Sequence, residues 1–114
     1  MSKPTTAARF HRWEDLPREK VTDLLDRRLI CGERMMLAHV YLKKGCIVPK
    51  HSHHNEQITY IIEGQLDMVI DGVACSLTAG MYHIIPSNVL HSAVAATDCK
   101  VIDAFAPARE DYKS

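Results

Sequence analysis

Residues 45–64 read GCIVPKHSHHNEQITYIIEG, three imidazoles and an amide set beside an apolar run that ends in Glu-Gly. Side chains of a β-strand alternate between its two faces, so on an unbroken strand His51, His53 and Gln57 point to one side and Ser52, His54 and Glu56 to the other. Glu56 is the obvious anionic ligand for a metal held by the two histidines, but its parity puts it on the wrong face. Gln57, four residues after His53, has the right one, and the stretch reads as a metal site on a strand.

Outward from this stretch, short β-rich runs recur between Gly, Pro and Asp turns. Strands are expected over 34–42, 48–54, 57–62, 65–70, 73–77, 82–85, 89–95 and 100–106, with Asp71-Gly72 favouring a type I′ hairpin turn. This regular spacing predicts an all-β barrel or sandwich. Residues 21–30 are ambiguous: Val21, Leu24, Leu25 and Leu29 fall at helical spacing, while Leu25, Arg27 and Leu29 also suit a strand. Residues 1–9 read as a mobile tail. Phe10, Trp13 and Leu16 read as an arm laid over a neighbouring surface, of its own subunit or another.

The chain has 114 residues, enough for one domain and too few for two. Its 14 basic residues balance its 14 acidic ones, so nothing favours electrostatic capture of nucleic acid or of an anionic membrane surface. The first thirty residues hold no apolar run of the length a signal sequence or membrane span needs. Cys31, Cys46, Cys75 and Cys99 are far apart and lack a CxxC spacing, which points to reduced core thiols and a cytoplasmic protein.

Two further groups bear on chemistry. His91 follows a Pro-bounded turn, and with His51, His53 and Gln57 it would make a neutral ligand set that leaves a divalent ion its full charge. Such an ion favours anionic oxygen ligands and can polarise or orient a chelating substrate. Near the end, 101–109 reads VIDAFAPAR, in which Asp103 and Phe105 share a parity. The plain reading is an Asp103–Arg109 ion pair that ties down the C-terminus. Beside a metal cup, the same residues supply a carboxylate for proton transfer and a guanidinium for a substrate carboxylate. The remaining histidines carry less weight, His11 lying in the arm, His54 having the wrong parity, and His39 and His83 sitting in apolar strands.

These spacings resemble the paired motifs of the cupin family. Gly45, His51, His53, Gln57 and Gly64 fit the first motif, with Gln57 where most cupins carry glutamate. Gly80, Pro86, Asn88 and His91 fit the second, with Asn88 in place of glycine, and Asn also tolerates a left-handed turn. The resemblance implies a single-domain jelly-roll barrel (double-stranded β-helix) over 21–114, preceded by a tail and arm over 1–20. It puts a strand in 21–30, and cupins of this size are usually homodimers.

The string His51-x-His53-x-x-Glu56-Gln57 and the ending Asp103-x-Phe105, Arg109, Glu110-Asp111, Tyr112 are similar to KdgF-type cupins of pectin and alginate breakdown. That likeness implies one divalent transition metal ion (nickel, zinc, iron or manganese) on His51, His53, Gln57 and His91. It further implies that Asp103, Phe105 and Arg109 act in the ring opening and ketonisation of 4,5-unsaturated monouronates, a small anionic sugar substrate. Two rival functions stay open, a metal-dependent cupin dioxygenase and a non-catalytic small-ligand-binding cupin. Gln57 counts against the first, since it leaves iron no anionic donor. Asp103 counts against the second, since a cup for an anion gains nothing from another carboxylate.

Overall fold

The computed structural model describes residues 8–113, so most of the expected N-terminal tail lies outside the described residues. Ten strands form two antiparallel sheets that face one another as a jelly roll. The larger sheet runs β1 (Glu19–Thr22), β2 (Leu25–Cys31), β3 (Met36–Leu42), β10 (Cys99–Ala106), β5 (Glu56–Glu63), β8 (Tyr82–Ile85). The smaller runs β4 (Ile47–His51), β9 (His91–Ala95), β6 (Gln65–Ile70), β7 (Val73–Thr78). A four-residue helix, α1 (Glu110–Lys113), closes the chain.

The core follows from strand parity. Met36, Ala38, Val40 and Leu42 of β3, Ile61 of β5, Leu66, Met68 and Ile70 of β6, and Val101 and Phe105 of β10 all point between the sheets and are buried. Each large apolar side chain removed from water in this way contributes about 1.5–3 kcal/mol. All four cysteines are free thiols; Cys46 and Cys99 are buried in this core, and burial pushes both thiols up.

Turn chemistry is as the sequence demands. Asp71 and Gly72 both have positive φ (52° and 77°) and close the β6–β7 hairpin. Asn88 has φ 66°, the left-handed conformation expected of a residue standing where the motif has glycine. Gly64 has φ 89°, and a Cβ added there would run into the carbonyl oxygen of Asp98.

Three expectations need correction. The strand expected over 21–30 is interrupted: β1 and β2 form a hairpin that turns at Asp23-Leu24, and the apolar spacing spans that turn. The strand expected over 48–54 ends at His51, and residues 52–55 form a loop before β5 begins at Glu56. That over 89–95 begins only at His91.

The part of the arm from Trp13 to Leu16 contacts its own larger sheet. Arg28 Nη1 donates to the carbonyls of Trp13 (2.8 Å) and Leu16 (2.9 Å), and the Trp13 ring meets the His39 ring edge-on at 4.9 Å. His39 also stacks on Tyr41 at 4.7 Å, and neither of its ring nitrogens has a hydrogen-bond partner, so it is an aromatic spacer and not the hydrogen-bonded histidine usual in such strands. Burial, then Lys100, Arg28 and Arg18, hold its pKa below the ordinary value. Phe10, by contrast, is 96% exposed.

Candidate metal centre

The two sheets converge on a cavity of about 280 Å³ lined by His51, Gln57, Thr59, His91, Asp103, Phe105, Arg109 and Tyr112 among others. Pockets for drug-sized ligands run to roughly 300–1,000 Å³, so this one suits a smaller molecule such as a single sugar ring. His51, His53 and His91 present ring nitrogens that all lie within 4.8 Å of one another, a cluster that could hold a metal ion. His51 and His91 are direct cross-strand partners on β4 and β9, while His53 comes from the loop that follows β4.

Local hydrogen bonding decides which nitrogen of each ring is available. Each Nδ1 faces a backbone carbonyl two residues away: His51 that of Pro49 (2.8 Å), His53 that of Asn55 (3.0 Å), His91 that of Val89 (2.9 Å). A carbonyl only accepts, so each Nδ1 carries the proton and each Nε2 keeps its lone pair toward the other two rings. Burial is the main reason the pKa values of His53 and His91 fall below the ordinary value, which favours the neutral ligand form. His91 Nε2 is buried with no hydrogen-bond partner.

Gln57 sharpens this. Its Nε2 donates to Thr59 Oγ1 (2.8 Å) and Asp103 Oδ1 (3.3 Å), which fixes the amide so that Oε1 faces His53 Nε2 at 3.0 Å. With the proton of His53 on Nδ1, two acceptor atoms then face each other across that gap. A part-buried pair of facing acceptors of this kind is costly unless a cation or a proton fills it. The residues present therefore fit a divalent ion: three imidazole lone pairs and one amide oxygen converge, and the amide nitrogen is anchored away from them.

Gln57 points inward and Glu56 outward, though not for the reason of an unbroken strand. Because of the loop at 52–55, the parity that matters is that of β5 alone, in which Gln57, Thr59 and Ile61 point inward and Glu56, Ile58 and Tyr60 outward. Glu56→Gln is accordingly expected to leave metal content unchanged, whereas Gln57→Ala lowers it. Elemental analysis of both variants showing equal losses would overturn this assignment.

Asp103 and Thr59 are cross-strand partners on β10 and β5, and Thr59 Oγ1 donates to Asp103 Oδ1 at 2.7 Å. Burial outweighs these hydrogen bonds and the attraction of Arg109, pushing the Asp103 carboxyl up to about 6. The plain Asp103–Arg109 ion pair does not form. Arg109 instead gives Nε (3.1 Å) and Nη2 (2.6 Å) to the two carboxylate oxygens of Asp111, and Nη1 to the Tyr112 hydroxyl (3.2 Å). The Arg109 hydrogen bonds hold the Asp111 carboxyl below its usual range. Phe105 stacks edge-on against both His53 (5.7 Å) and Tyr112 (5.5 Å), joining the imidazoles to the C-terminal segment.

All seven residues expected at the site thus converge on one end of the barrel. Sequence reasoning missed Thr59, which sits two residues beyond Gln57 on the same face. It also missed Asn55, a buried side chain in the His53 loop whose Nδ2 donates to the Pro107 carbonyl at 2.7 Å and ties that loop to the chain after β10.

Comparison with known proteins agrees with this architecture. The pectin degradation protein KdgF of Dickeya dadantii is 30% identical over 102 residues, which cover 87% of this chain and 93% of that protein. An RmlC-like cupin from Shewanella frigidimarina superposes with a TM-score of 0.88 at 33% identity, covering 93% of this chain and 96% of its own. KdgF from a Halomonas species superposes equally well, TM-score 0.88, at 26% identity over 93% of this chain and 99% of its own. Residues 38–105 match the cupin domain, and with the histidine cluster at the shared end of its two sheets the chain belongs to the cupin family.

Proposed function

We propose that this cupin is a metal-assisted isomerase that opens and ketonises a 4,5-unsaturated monouronate, as its similarity to the pectin degradation protein KdgF suggests. The observation that carries the reading is the placement of Asp103. An inward carboxylate, which burial pushes up to about 6 in the metal-free protein, shares a small cavity with the imidazole cluster and a buried guanidinium. A carboxylate held in this position can both accept and return a proton.

The chemistry needed is a net proton relocation. The anomeric hydroxyl loses its proton as the C1–ring-oxygen bond breaks and a C1 carbonyl forms. The electrons of that bond leave on the ring oxygen as a C5 enolate. Protonation at C4 then yields the C5 ketone, so atoms balance without an oxidant or co-substrate. Asp103 takes the first proton and delivers the second, with Thr59 and Gln57 fixing the carboxylate through Oδ1. Arg109, its guanidinium plane locked by Asp111, offers its remaining N–H groups to the ligand carboxylate. Phe105 forms the wall between them. One divalent ion, held by His51, His53, Gln57 and His91, would supply Lewis acidity and orient ligand oxygens.

The test is a turnover screen. Metal-loaded protein is expected to accelerate the ultraviolet loss of an unsaturated monouronate. No acceleration with any such sugar would sink the ketonisation reading and leave the ligand-binding cupin in front.

The working form we propose is a cytoplasmic homodimer. Ile58, Tyr60, Tyr82 and Ile84 form an exposed apolar face on β5 and the sheet-edge strand β8, paired Ile58–Ile84 and Tyr60–Tyr82. An edge of this kind is normally covered. Light scattering should give twice the chain mass, and Tyr82→Glu with Ile84→Glu should reduce it to one; a full-length monomer refutes the idea.

A further inference from the structure

Arg27 breaks the pattern of its strand. In β2, Leu25 and Leu29 pack against the core, yet Arg27 between them on the same face lines the cavity. Its side chain is only 17% exposed and its Nε is buried with no hydrogen-bond partner. The carboxylate it pairs with, Glu19, is half-exposed and stands 3.6 Å from Nε, beyond hydrogen-bond reach. A cation turned inward among leucines is costly unless an anion completes it.

Its position says where that anion would sit. The Arg27 guanidinium lies 4.2 Å from the Tyr112 ring centre, and so does that of Arg109. The two guanidinium carbons are therefore no more than twice 4.2 Å apart. Both guanidinium groups line the same cavity, so a carboxylate that pairs with one is also attracted by the positive charge of the other. Arg109 has already committed Nε and Nη2 to Asp111, whereas the Arg27 fork is open.

We propose that Arg27 is a further ligand-binding residue: with Arg109, beside the Tyr112 ring, it recognises the carboxylate of the bound sugar and makes the cavity selective for acids over their neutral counterparts. The proposal rests on the reading of the ligand as a monouronate, but it concerns recognition and not turnover. A merely structural Arg27 would act through Glu19, strengthening the β1–β2 hairpin.

Calorimetric titration of metal-loaded protein with galacturonate, a saturated uronate, and with its methyl ester separates these roles. Wild type is expected to prefer the acid by about ten- to hundredfold, the range of a charge-assisted hydrogen bond, and Arg27→Gln to lose most of that preference. Glu19→Gln, which removes the ion pair but keeps the guanidinium, should retain it. Melting curves and metal content control for folding, and Arg27→Lys, which keeps the charge but not the fork, serves should the glutamine variant fail to fold. Undiminished preference in Arg27→Gln, wild-type binding by Arg27→Lys, or no preference in wild type overturns the proposal. Wild type that discriminates acid from ester yet consumes no unsaturated uronate would refute ketonisation alone and leave Arg27 in its role.

Discussion

His91→Ala is expected to reduce the metal content of the purified protein to background and to abolish any metal-dependent turnover. Its Nε2 is a buried lone pair without a hydrogen-bond partner, converging on two others. Losing only an outer hydrogen-bond partner of a ligating histidine typically costs about 10–100-fold in affinity, so losing a ligand should cost more. Because an ion that binds only the folded state stabilises it by mass action, wild type should also melt higher with metal than after chelation, and His91→Ala should not respond. Elemental analysis and paired melting curves check both points. Full occupancy in a His51→Ala, His91→Ala double variant would end the four-ligand assignment.

Asp103→Asn should lower turnover by about 10²–10⁴-fold, the usual contribution of positioned proton transfer, while leaving metal content intact. Stability should move the other way. Burial raises the Asp103 pKa from 3.8 to about 6, so the folded state holds this proton more tightly than the unfolded one. The stability Asp103 contributes is then fully present below the unfolded value and is lost as pH rises through about 6. In metal-free protein the loss is on the order of 1 kcal/mol per pH unit across that window. Asn cannot ionise, so the variant should lack this slope and melt no lower than wild type at pH 7. A structural ion pair would predict the opposite, and a variant that melts well below wild type with unchanged turnover would remove Asp103 from the mechanism.

The barrel and the site were legible in the sequence to different depths. Strand parity within β5 and β10 sufficed to turn Gln57, Asp103 and Phe105 inward, because neither strand is interrupted between these residues. It could not carry the argument from His51 to Gln57, since a loop separates β4 from β5 and parity does not survive a loop. Motif spacing carried it instead. The strand parity of Leu25, Arg27 and Leu29 was obscured for a related reason: the hairpin turn at Asp23-Leu24 mixed two strands into one window and produced a false helical spacing. The partner of Arg109 was equally out of reach. Both Asp103 and Asp111 stand within a few residues of it, and only the helical turn of α1 decides that Asp111 closes on the guanidinium.

The Gln57 amide holds one more consequence. Its oxygen faces the imidazoles and its nitrogen donates toward Asp103, so a single planar group stands between the ligand cluster and the acid. A glutamate in its place would set a second carboxylate against Asp103, turning a donated hydrogen bond into like-charge repulsion. An acid at both positions would push one of the two carboxyls up unless a bound cation offset the repulsion. Here the amide stands on β5, and the acid stands on the adjacent strand β10, 3.3 Å from the amide nitrogen and facing the cavity.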